Sequence, residues 1–231
     1  MRTENFGDGI VLYNCDSQEF DLGSKHDFLF LDPPFNIYKE ISIDEFTTCV
    51  AFTNWQNRGY LTAKLGEPRI EMIWHFADGR WVSSNMPRIT HESILIYGDT
   101  SNADVGDVNV LHGQEIKKGK GSIGKDNLGQ RIYKPKERKQ LNSVLFYPRN
   151  VSSELGCWSK PLDLIYTLFE FIGKKEVVDP FMGSGTAAIA AIKLKMEYIG
   201  AEKDSDIFDA TCKRIENHLS QGDLFRLMED D

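Results

Sequence analysis

The residues with the clearest chemical potential are four consecutive ones, Asp32-Pro33-Pro34-Phe35, directly after the apolar run 27–31. An apolar run cut off by two prolines predicts a buried strand that stops abruptly. The carboxylate of Asp32 and the carbonyl of Pro33 could accept two hydrogen bonds from one amino group, and the ring of Phe35 could lie against a flat heterocycle. These residues therefore predict a site for a planar ring that carries an exocyclic amino group.

A second group of residues surrounds the loop that contains Gly183 and Gly185, which lies between a predicted strand and an alanine-rich helix. A lone G-x-G is a weak signal, and the third glycine of the dinucleotide fingerprint is replaced by Ala188. Asp179 precedes the loop, and Glu202 follows the next strand, where an acid suits the hydroxyls of a ribose or is simply a solvated strand end. Acids at this loop favour a positively charged ligand over a pyrophosphate, and S-adenosylmethionine fits that description.

Strands and helices that would position these residues can be read from the apolar spacing. The second half of the chain reads strand–helix–strand–helix, which predicts an α/β fold with a mostly parallel, doubly wound, Rossmann-like sheet. Ligands bind such sheets at the carboxyl ends of the strands. Strands are expected at 10–14, 27–31, 69–76, 93–97, 176–179 and 197–201, and helices after Ser42, Ser159, Thr186 and Ser205. In the first of these helices Ser42 and Glu45 form a capping box, and Ile43, Phe46, Val50 and Thr53 are helically spaced.

Length and composition indicate a single globular domain over residues 1–231, with 41% apolar and 27% charged residues. Neither a membrane-spanning segment nor a signal-peptide core is visible, so a cytoplasmic protein without a membrane partner is expected. The four cysteines are too widely spaced for a zinc pattern, so buried reduced thiols and no metal site are predicted. They are Cys15, Cys49, Cys157 and Cys212.

The charge distribution is uneven along the chain. The net charge is −8, but the stretch 113–139 holds nine basic and three acidic residues. Because phosphate responds to a local patch more than to the net charge, the Gly-rich insertion 106–145 is interpreted as a mobile arm that recognises nucleic acid. A solvated loop is the alternative. Its candidate DNA-binding residues are Lys117, Lys118, Lys120, Lys125, Arg131 and Lys134.

Four motifs occur together in a particular order: DPPF at 32–35, WSKP at 158–161, DPFMGSGT at 179–186 and YIGAE at 198–202. This ordered set resembles the β class of amino-methyltransferases, DNA enzymes that methylate exocyclic nitrogens. In that class the catalytic strand precedes the cofactor-binding half, which is a circularly permuted motif order. The resemblance covers residues 8–220 apart from the basic insertion.

The resemblance implies roles for matching positions and S-adenosylmethionine as the cofactor. Asp32, Pro33, Pro34 and Phe35 would form the catalytic tetrapeptide. Lys160 and Pro161 match the end of a cofactor segment whose usual His-Pro-Thr opening is replaced here by 156–159. The remaining cofactor contacts would be Asp16 with the adenine amino group, Glu202 with the ribose, and Asp179, Phe181, Gly183, Gly185 and Thr186 with the methionine part.

The expected activity is site-specific methylation of adenine N6 in a base flipped out of DNA. Within the family a leading Asp with Phe leans towards adenine, whereas a leading Ser leans towards cytosine N4. Cytosine N4 is the runner-up, RNA and single-stranded DNA remain open, and a non-catalytic nucleic-acid binder that retains the fold is the alternative of another class. A homodimer, a separate specificity partner and a restriction-modification role are compatible with the resemblance.

Overall fold

A computed structural model of the chain describes residues 1–20, 26–34, 36–37, 46–80, 83–101, 103, 122–125, 131–134, 141–149 and 159–229. The first strands and helix are β1 (Arg2–Asn5), β2 (Ile10–Asn14), β3 (His26–Leu31), β4 (Phe46–Thr53), α1 (Trp55–Leu65), β5 (Ile70–Arg80) and β6 (Ile89–Gly98). They are followed by β7 (Ser122–Lys125), β8 (Arg131–Lys134), β9 (Val144–Phe146), α2 (Leu162–Ile172), β10 (Glu176–Asp179), α3 (Thr186–Lys193), β11 (Glu197–Glu202) and α4 (Ser205–Glu229).

Nine of these strands form one sheet in the order β1-β2-β11-β10-β3-β4-β6-β5-β9. The run from β2 through β4 is parallel throughout, so the carboxyl ends of β2, β11, β10 and β3 lie on one edge. Beyond β4 the hairpin of β6 and β5 is antiparallel, and β9 pairs with β5 in parallel. The predicted mostly parallel α/β sheet is therefore confirmed, with antiparallel strands on one side and at β1.

Both faces of the sheet are covered, which explains why its central strands are apolar at successive positions rather than at alternate ones. Phe28 and Phe30 of β3 belong to the core under α2, α3 and α4, whereas Leu29 and Leu31 belong to the core under α1. Phe169 of α2 contacts the rings of both phenylalanines edge-on, at centroid distances of 5.2 and 5.3 Å. This packing fixes the strand that ends at the tetrapeptide.

The predicted helix after Ser42 is wrong over residues 46–53, which form β4; residues 42–45 lie outside the described part of the chain. The apolar residues of β4 alternate between the two cores, with Val50 and Phe52 on one side and Cys49 and Ala51 on the other. A strand buried on both faces also places apolar residues at helical spacing, so periodicity alone misassigns it. The helix begins only after Asn54, whose side chain accepts hydrogen bonds from two backbone N–H groups in the first turn.

The basic insertion contains regular structure that its composition did not predict. Strands β7 and β8 pair as an antiparallel two-stranded sheet. Val144 and Leu145 belong to β9 in the main sheet, so the predicted insertion boundary at residue 145 overlaps that sheet by two residues. The extent of one domain over 1–231 stays a prediction.

Three smaller predictions can be compared with the structure. Strand β1 was not predicted, and the predicted cap at Ser159 is wrong because α2 begins after Pro161 without a side-chain cap. Cys15, Cys49 and Cys212 are buried free thiols as predicted, and Cys157 lies outside the described residues. In the described part of the chain, no helix is both long and apolar enough to cross a membrane.

Candidate active site

Four acidic residues stand where the four parallel strands end. Asp32 follows β3, Asp179 closes β10, Glu202 closes β11, and Asp16 comes two residues after β2. All four line one cavity of about 610 Å³, together with Gly183 of the glycine loop. The two groups of residues singled out in the sequence therefore meet in the same cleft.

At the end of β3 the two prolines separate the sheet from the cleft. Pro33 is buried, Pro34 is exposed, and the Pro34 carbonyl accepts a hydrogen bond from the N–H of Ile37 at 3.1 Å, which turns the chain back. The side chain of Asp32 is 19% exposed and accepts a hydrogen bond from Lys160 Nζ at 2.7 Å. The strand thus ends in a carboxylate held in a largely desolvated position.

Lys160 is the partner of two carboxylates rather than one. Its Nζ lies 2.7 Å from Asp32 Oδ1 and 3.3 Å from Glu92 Oε2, and 4.8 Å from the centroid of the Phe52 ring. Burial opposes the charge on Lys160, but the two carboxylates outweigh it and raise the pKa of the amine. Lys160 is therefore an ammonium ion that bridges β3 and β6.

The wall next to Asp32 is aromatic and comes from the antiparallel part of the sheet. Trp74 and Phe76 project from β5 and pack together at a centroid distance of 5.0 Å. The indole N–H of Trp74 donates to the carbonyl of Tyr147 at 2.9 Å, and the Arg149 guanidinium lies 5.0 Å above the Phe76 ring. Fixed aromatic rings beside a carboxylate form a surface suited to a flat, polar heterocycle.

Asp179 is an acid buried without a cation at hydrogen-bond distance among the described residues. Its exposure is 1%, and it accepts hydrogen bonds from the Phe181 N–H at 3.0 Å and the Tyr198 hydroxyl at 2.9 Å. Burial raises its pKa to about 7; the two hydrogen bonds oppose the rise, and the charges of Asp32 and Glu202 add to it. A buried carboxyl that is poised near neutrality favours a cationic ligand.

Gly183 and Gly185 have different reasons for being glycine. Both have positive φ, +51° and +73°. A Cβ at Gly185 would lie 2.5 Å from Thr211 Cγ2, whereas the nearest atom to one at Gly183 would be 3.9 Å away. Helix α4 fixes the loop, because Thr211 donates to the Gly183 carbonyl at 2.8 Å and Arg214 to the Ser184 carbonyl at 2.6 Å. Gly185 therefore allows close packing, and Gly183 leaves its backbone open to the cleft.

Glu202 and Asp16 complete the acidic end of the cavity. The two oxygens of Glu202 accept hydrogen bonds from the N–H groups of Gly183 at 3.1 Å and Asp204 at 2.9 Å. Asp16 accepts one from the Gln18 N–H at 3.0 Å, which orders the turn after β2. Because each carboxylate oxygen can accept more than one hydrogen bond, both acids can still accept from the hydroxyl or amino groups of a ligand.

Comparison with known proteins identifies the family. Residues 60–213 match the model of an N6/N4 methyltransferase family described as DNA methylase. The chain belongs to this family of DNA methylases. The match confirms the family resemblance read from the motifs.

Individual relatives of this methylase are more distant. The type II methyltransferase M.HindIII of Haemophilus influenzae is 41% identical over 58 residues, which are 24% of this chain and 19% of that protein. The methylase thus spans about a fifth of the length of the curated relative that it matches.

Solved structures support the fold of the methylase. The M1.HpyAVI–SAM complex has a TM-score of 0.56 at 20% identity and covers 88% of this chain and 98% of its own. The cytosine-N4-specific PvuII DNA methyltransferase has a TM-score of 0.58 at 11% identity, with coverages of 87% and 84%. A DNA modification methylase of Thermus thermophilus, TTHA0409, solved with S-adenosyl-L-methionine, has a TM-score of 0.52 at 15% identity, with coverages of 90% and 95%.

Most of the site residues predicted from the sequence line the cleft of the methylase. These are Asp16, Asp32, Pro33, Pro34, Lys160, Asp179, Phe181, Gly183, Thr186 and Glu202. Pro161 and Gly185 lie outside the lining, as the residue before α2 and as a packing position. Lys160 was expected beside the cofactor, but its contacts are with Asp32 and Glu92.

The remaining predicted residues lie partly outside the described part of the chain. Phe35, Lys117, Lys118 and Lys120 are among the residues that the structure does not describe. Of the other basic candidates, Lys125 lies opposite Arg131 at one end of the β7–β8 ladder, and Lys134 lies opposite Ser122 at the other.

Sequence reasoning missed the wall made by the antiparallel strands. Glu92 is an acid inside a strand whose later residues are apolar, which is a usable signal, but its strand lies far from both motifs in sequence. Trp74 was considered as a stacking platform or as core, and it is both buried and part of the lining. The other lining residues of this wall are Phe76, Ile89 and Arg149.

Proposed function

We propose that this methylase transfers a methyl group from S-adenosylmethionine to the exocyclic amino group of a base in DNA, with adenine N6 as the acceptor. The observation that carries the proposal is the single cavity that holds Asp32 and Pro33 at one end and Gly183 at the other. A methyl transfer without a covalent enzyme intermediate needs chiefly this, two reactants held in one cleft in line with each other.

The acidic end of the cavity suits the proposed cofactor, which supplies a methyl group already activated on a sulfonium. Asp179 is a buried acid with a raised pKa, so a cationic ligand would convert it to a fully charged and well-compensated carboxylate. The open backbone at Gly183 allows close approach, and Glu202 can accept hydrogen bonds from ribose hydroxyls. Asp16 is placed to accept from an adenine amino group, as the family resemblance implies.

At the other end, Asp32 and the Pro33 carbonyl would act on the amino group of the substrate. The lone pair of an amino group on an aromatic base is delocalised into the ring, which makes it a poor nucleophile. Two accepted hydrogen bonds favour a more pyramidal nitrogen and stabilise the positive charge that develops on it. The base must leave the duplex to reach this corner, at a cost of about a few kcal/mol, and Trp74 and Phe76 offer ring surface that offsets part of it.

DNA would be held in part by the basic segment 113–139, whose nine basic residues contrast with the overall charge of −8. Within it, the β7–β8 ladder brings Lys125 and Arg131 opposite each other, so two basic residues share one position of the hairpin. Phosphate contacts of this kind supply affinity and orientation rather than base selectivity. The segment is therefore proposed as a backbone clamp.

The test combines a transfer assay with analysis of the modified nucleoside. Purified protein is incubated with unmodified DNA and methyl-labelled S-adenosylmethionine, and the DNA is digested and separated. We expect N6-methyladenine. Label in N4-methylcytosine would move the acceptor to cytosine within the same mechanism, and no label in any DNA, RNA or single strand would contradict the proposal.

Asp32→Ala tests the assigned acceptor separately from the cofactor site. We expect methylation to fall by about a thousandfold or more, because the amino group loses its charged acceptor. Calorimetric affinity for S-adenosylmethionine should stay within about threefold. Glu71→Gln is a matched control, since Glu71 pairs with Arg58 on the exposed side of the same sheet. Near wild-type turnover in Asp32→Ala would show that the assignment is wrong.

A further inference from the structure

The ammonium of Lys160 poses an electrostatic problem for the proposed reaction. It lies 2.7 Å from Asp32 Oδ1, so it takes up much of the carboxylate charge that is to stabilise the amino group. A nitrogen that becomes positive while bound to Asp32 would stand close to this second cation in a poorly solvated site. Lys160 in its observed position therefore opposes the charge that the reaction develops.

Glu92 offers the ammonium another place. Its side chain is 15% exposed and projects from β6 into the same cavity, on the other side of Nζ. Its Oε2 is 3.3 Å from Lys160 Nζ, an ion-pair distance, yet accepts no well-aligned hydrogen bond among the described residues. A buried carboxylate oxygen in this state gains a charge-assisted hydrogen bond if the ammonium moves towards it.

We propose that Glu92 is a positioning residue that draws Lys160 away from Asp32 when the amino group enters the cleft. The inference rests on the proposed function, because the entering amino group is what competes for Asp32. No proton is transferred in this step, since the ammonium exchanges one carboxylate partner for another. The substrate then meets an Asp32 whose charge is available.

The surroundings of Lys160 make such a shift inexpensive. Its Nζ lies 4.8 Å from the Phe52 ring centroid and 5.8 Å from that of Trp74, so both ring faces attract the cation without fixing its direction. Asp32 and Glu92 come from strands on either side of β4 and stay in place while the flexible lysine stem moves. The ammonium is therefore paired at both ends of its path.

Glu92→Gln tests the proposal because it keeps the shape of the side chain and removes its charge. We expect kcat to fall about ten- to hundredfold, the range that loss of a charge-assisted hydrogen bond produces. The affinity for S-adenosylmethionine should stay within about threefold, since Glu92 lies at the acceptor end. Glu71→Gln serves as the control. Unchanged kcat in Glu92→Gln, with wild-type protein active, would overturn this inference and leave the proposed function intact.

A double-variant cycle distinguishes action through Lys160 from direct contact with the base. In a Lys160→Gln background, Glu92→Gln should change kcat less than about twofold, because the partner through which it acts has gone. A further loss of about tenfold or more in that background would show that Glu92 contacts the substrate itself, which contradicts the proposal.

A structure of the wild-type protein with S-adenosylhomocysteine and DNA gives a check that needs no variant. We expect Nζ nearer to Glu92 than to Asp32 when the base is in the cleft. An ammonium still hydrogen-bonded to Asp32 beside a bound base would refute the shift. Wild-type protein that methylates no nucleic acid would instead refute the proposed function, and the role of Glu92 with it.

Discussion

Asp179 should make the ligand-free protein less stable as pH rises towards neutrality. Its carboxyl is 1% exposed, and burial raises its pKa from 3.8 to about 7. An acid with a raised pKa keeps its proton in the folded state over a range in which the unfolded chain has released it. The free energy of unfolding therefore falls as pH rises between about 4 and 7, and it is level above that range.

The size of the effect follows from the two pKa values. A carboxyl with a pKa of 3.8 in the unfolded chain and about 7 in the fold costs about 4 kcal/mol of stability once it is ionised in both states. Between pH 5.5 and 8, where measurements are convenient, about 2 kcal/mol of this change should appear. Other carboxylates titrate mostly below that range, so the difference between two variants isolates the contribution of Asp179.

Asp179→Asn is the variant to compare, because the structure can accommodate an amide. The side-chain carbonyl can still accept from the Phe181 N–H, and the Tyr198 hydroxyl can rotate to accept from the new NH₂ group. Urea unfolding followed by tryptophan fluorescence at pH 5.5, 6.5, 7.5 and 8 measures both proteins. We expect the variant to lack the fall of about 2 kcal/mol and to be the more stable protein at pH 8.

Parallel pH profiles for Asp179→Asn and wild type would refute the assignment of a raised pKa to this carboxyl. Saturating S-adenosylmethionine provides an internal control. A cationic ligand near Asp179 favours the ionised form, so it should flatten the wild-type profile and release protons on binding near pH 6.5. A neutral ligand of similar shape should do so less.

Two further predictions concern the glycines and the basic segment. Gly185→Ala should lower the free energy of unfolding by about 2–4 kcal/mol, since its Cβ would lie 2.5 Å from Thr211 Cγ2 at a φ of +73°; Gly59→Ala in α1, with no atom within 4 Å, should instead raise it by about 0.5–1 kcal/mol, and equal effects in urea unfolding would contradict the distinction. Neutralising three lysines of the basic segment should weaken DNA binding and reduce the slope of log K against log salt concentration by about 2–3, whereas an unchanged slope would identify that segment as a solvated loop; the three are Lys117, Lys118 and Lys120.

The parallel half of the fold could be predicted because its signals are local. Runs such as 176–179 and 197–202 end at acids or prolines, and each is followed at once by a helix with its own start signal. The segment 46–53 was misassigned because burial on both faces removes the alternation that marks a strand. The choice between helix and strand there was made by pairing with β3 and β6, which are distant in sequence.

The candidate site divides in the same way. Asp32, Asp179 and Glu202 could be located because each stands at the tip of a predicted strand. Glu92 could not, because its place in the cleft depends on β6 pairing with β4 and on a lysine far later in the sequence reaching across to it. Lys160 was assigned to the cofactor end by its motif, but the contact with Asp32 is a property of the folded chain.

The two ends of the cavity differ in how their charge is balanced, and this difference bears on the order of binding. At the acceptor end Lys160 lies between Asp32 and Glu92, whereas at the other end Asp16, Asp179 and Glu202 make no ion pair among the described residues. Asp32 also contributes to the raised pKa of Asp179, so the two ends are electrostatically coupled. A cationic ligand at the acidic end would relieve that repulsion before a base needs a charged Asp32. The charges therefore favour binding of the cofactor first and of the base second.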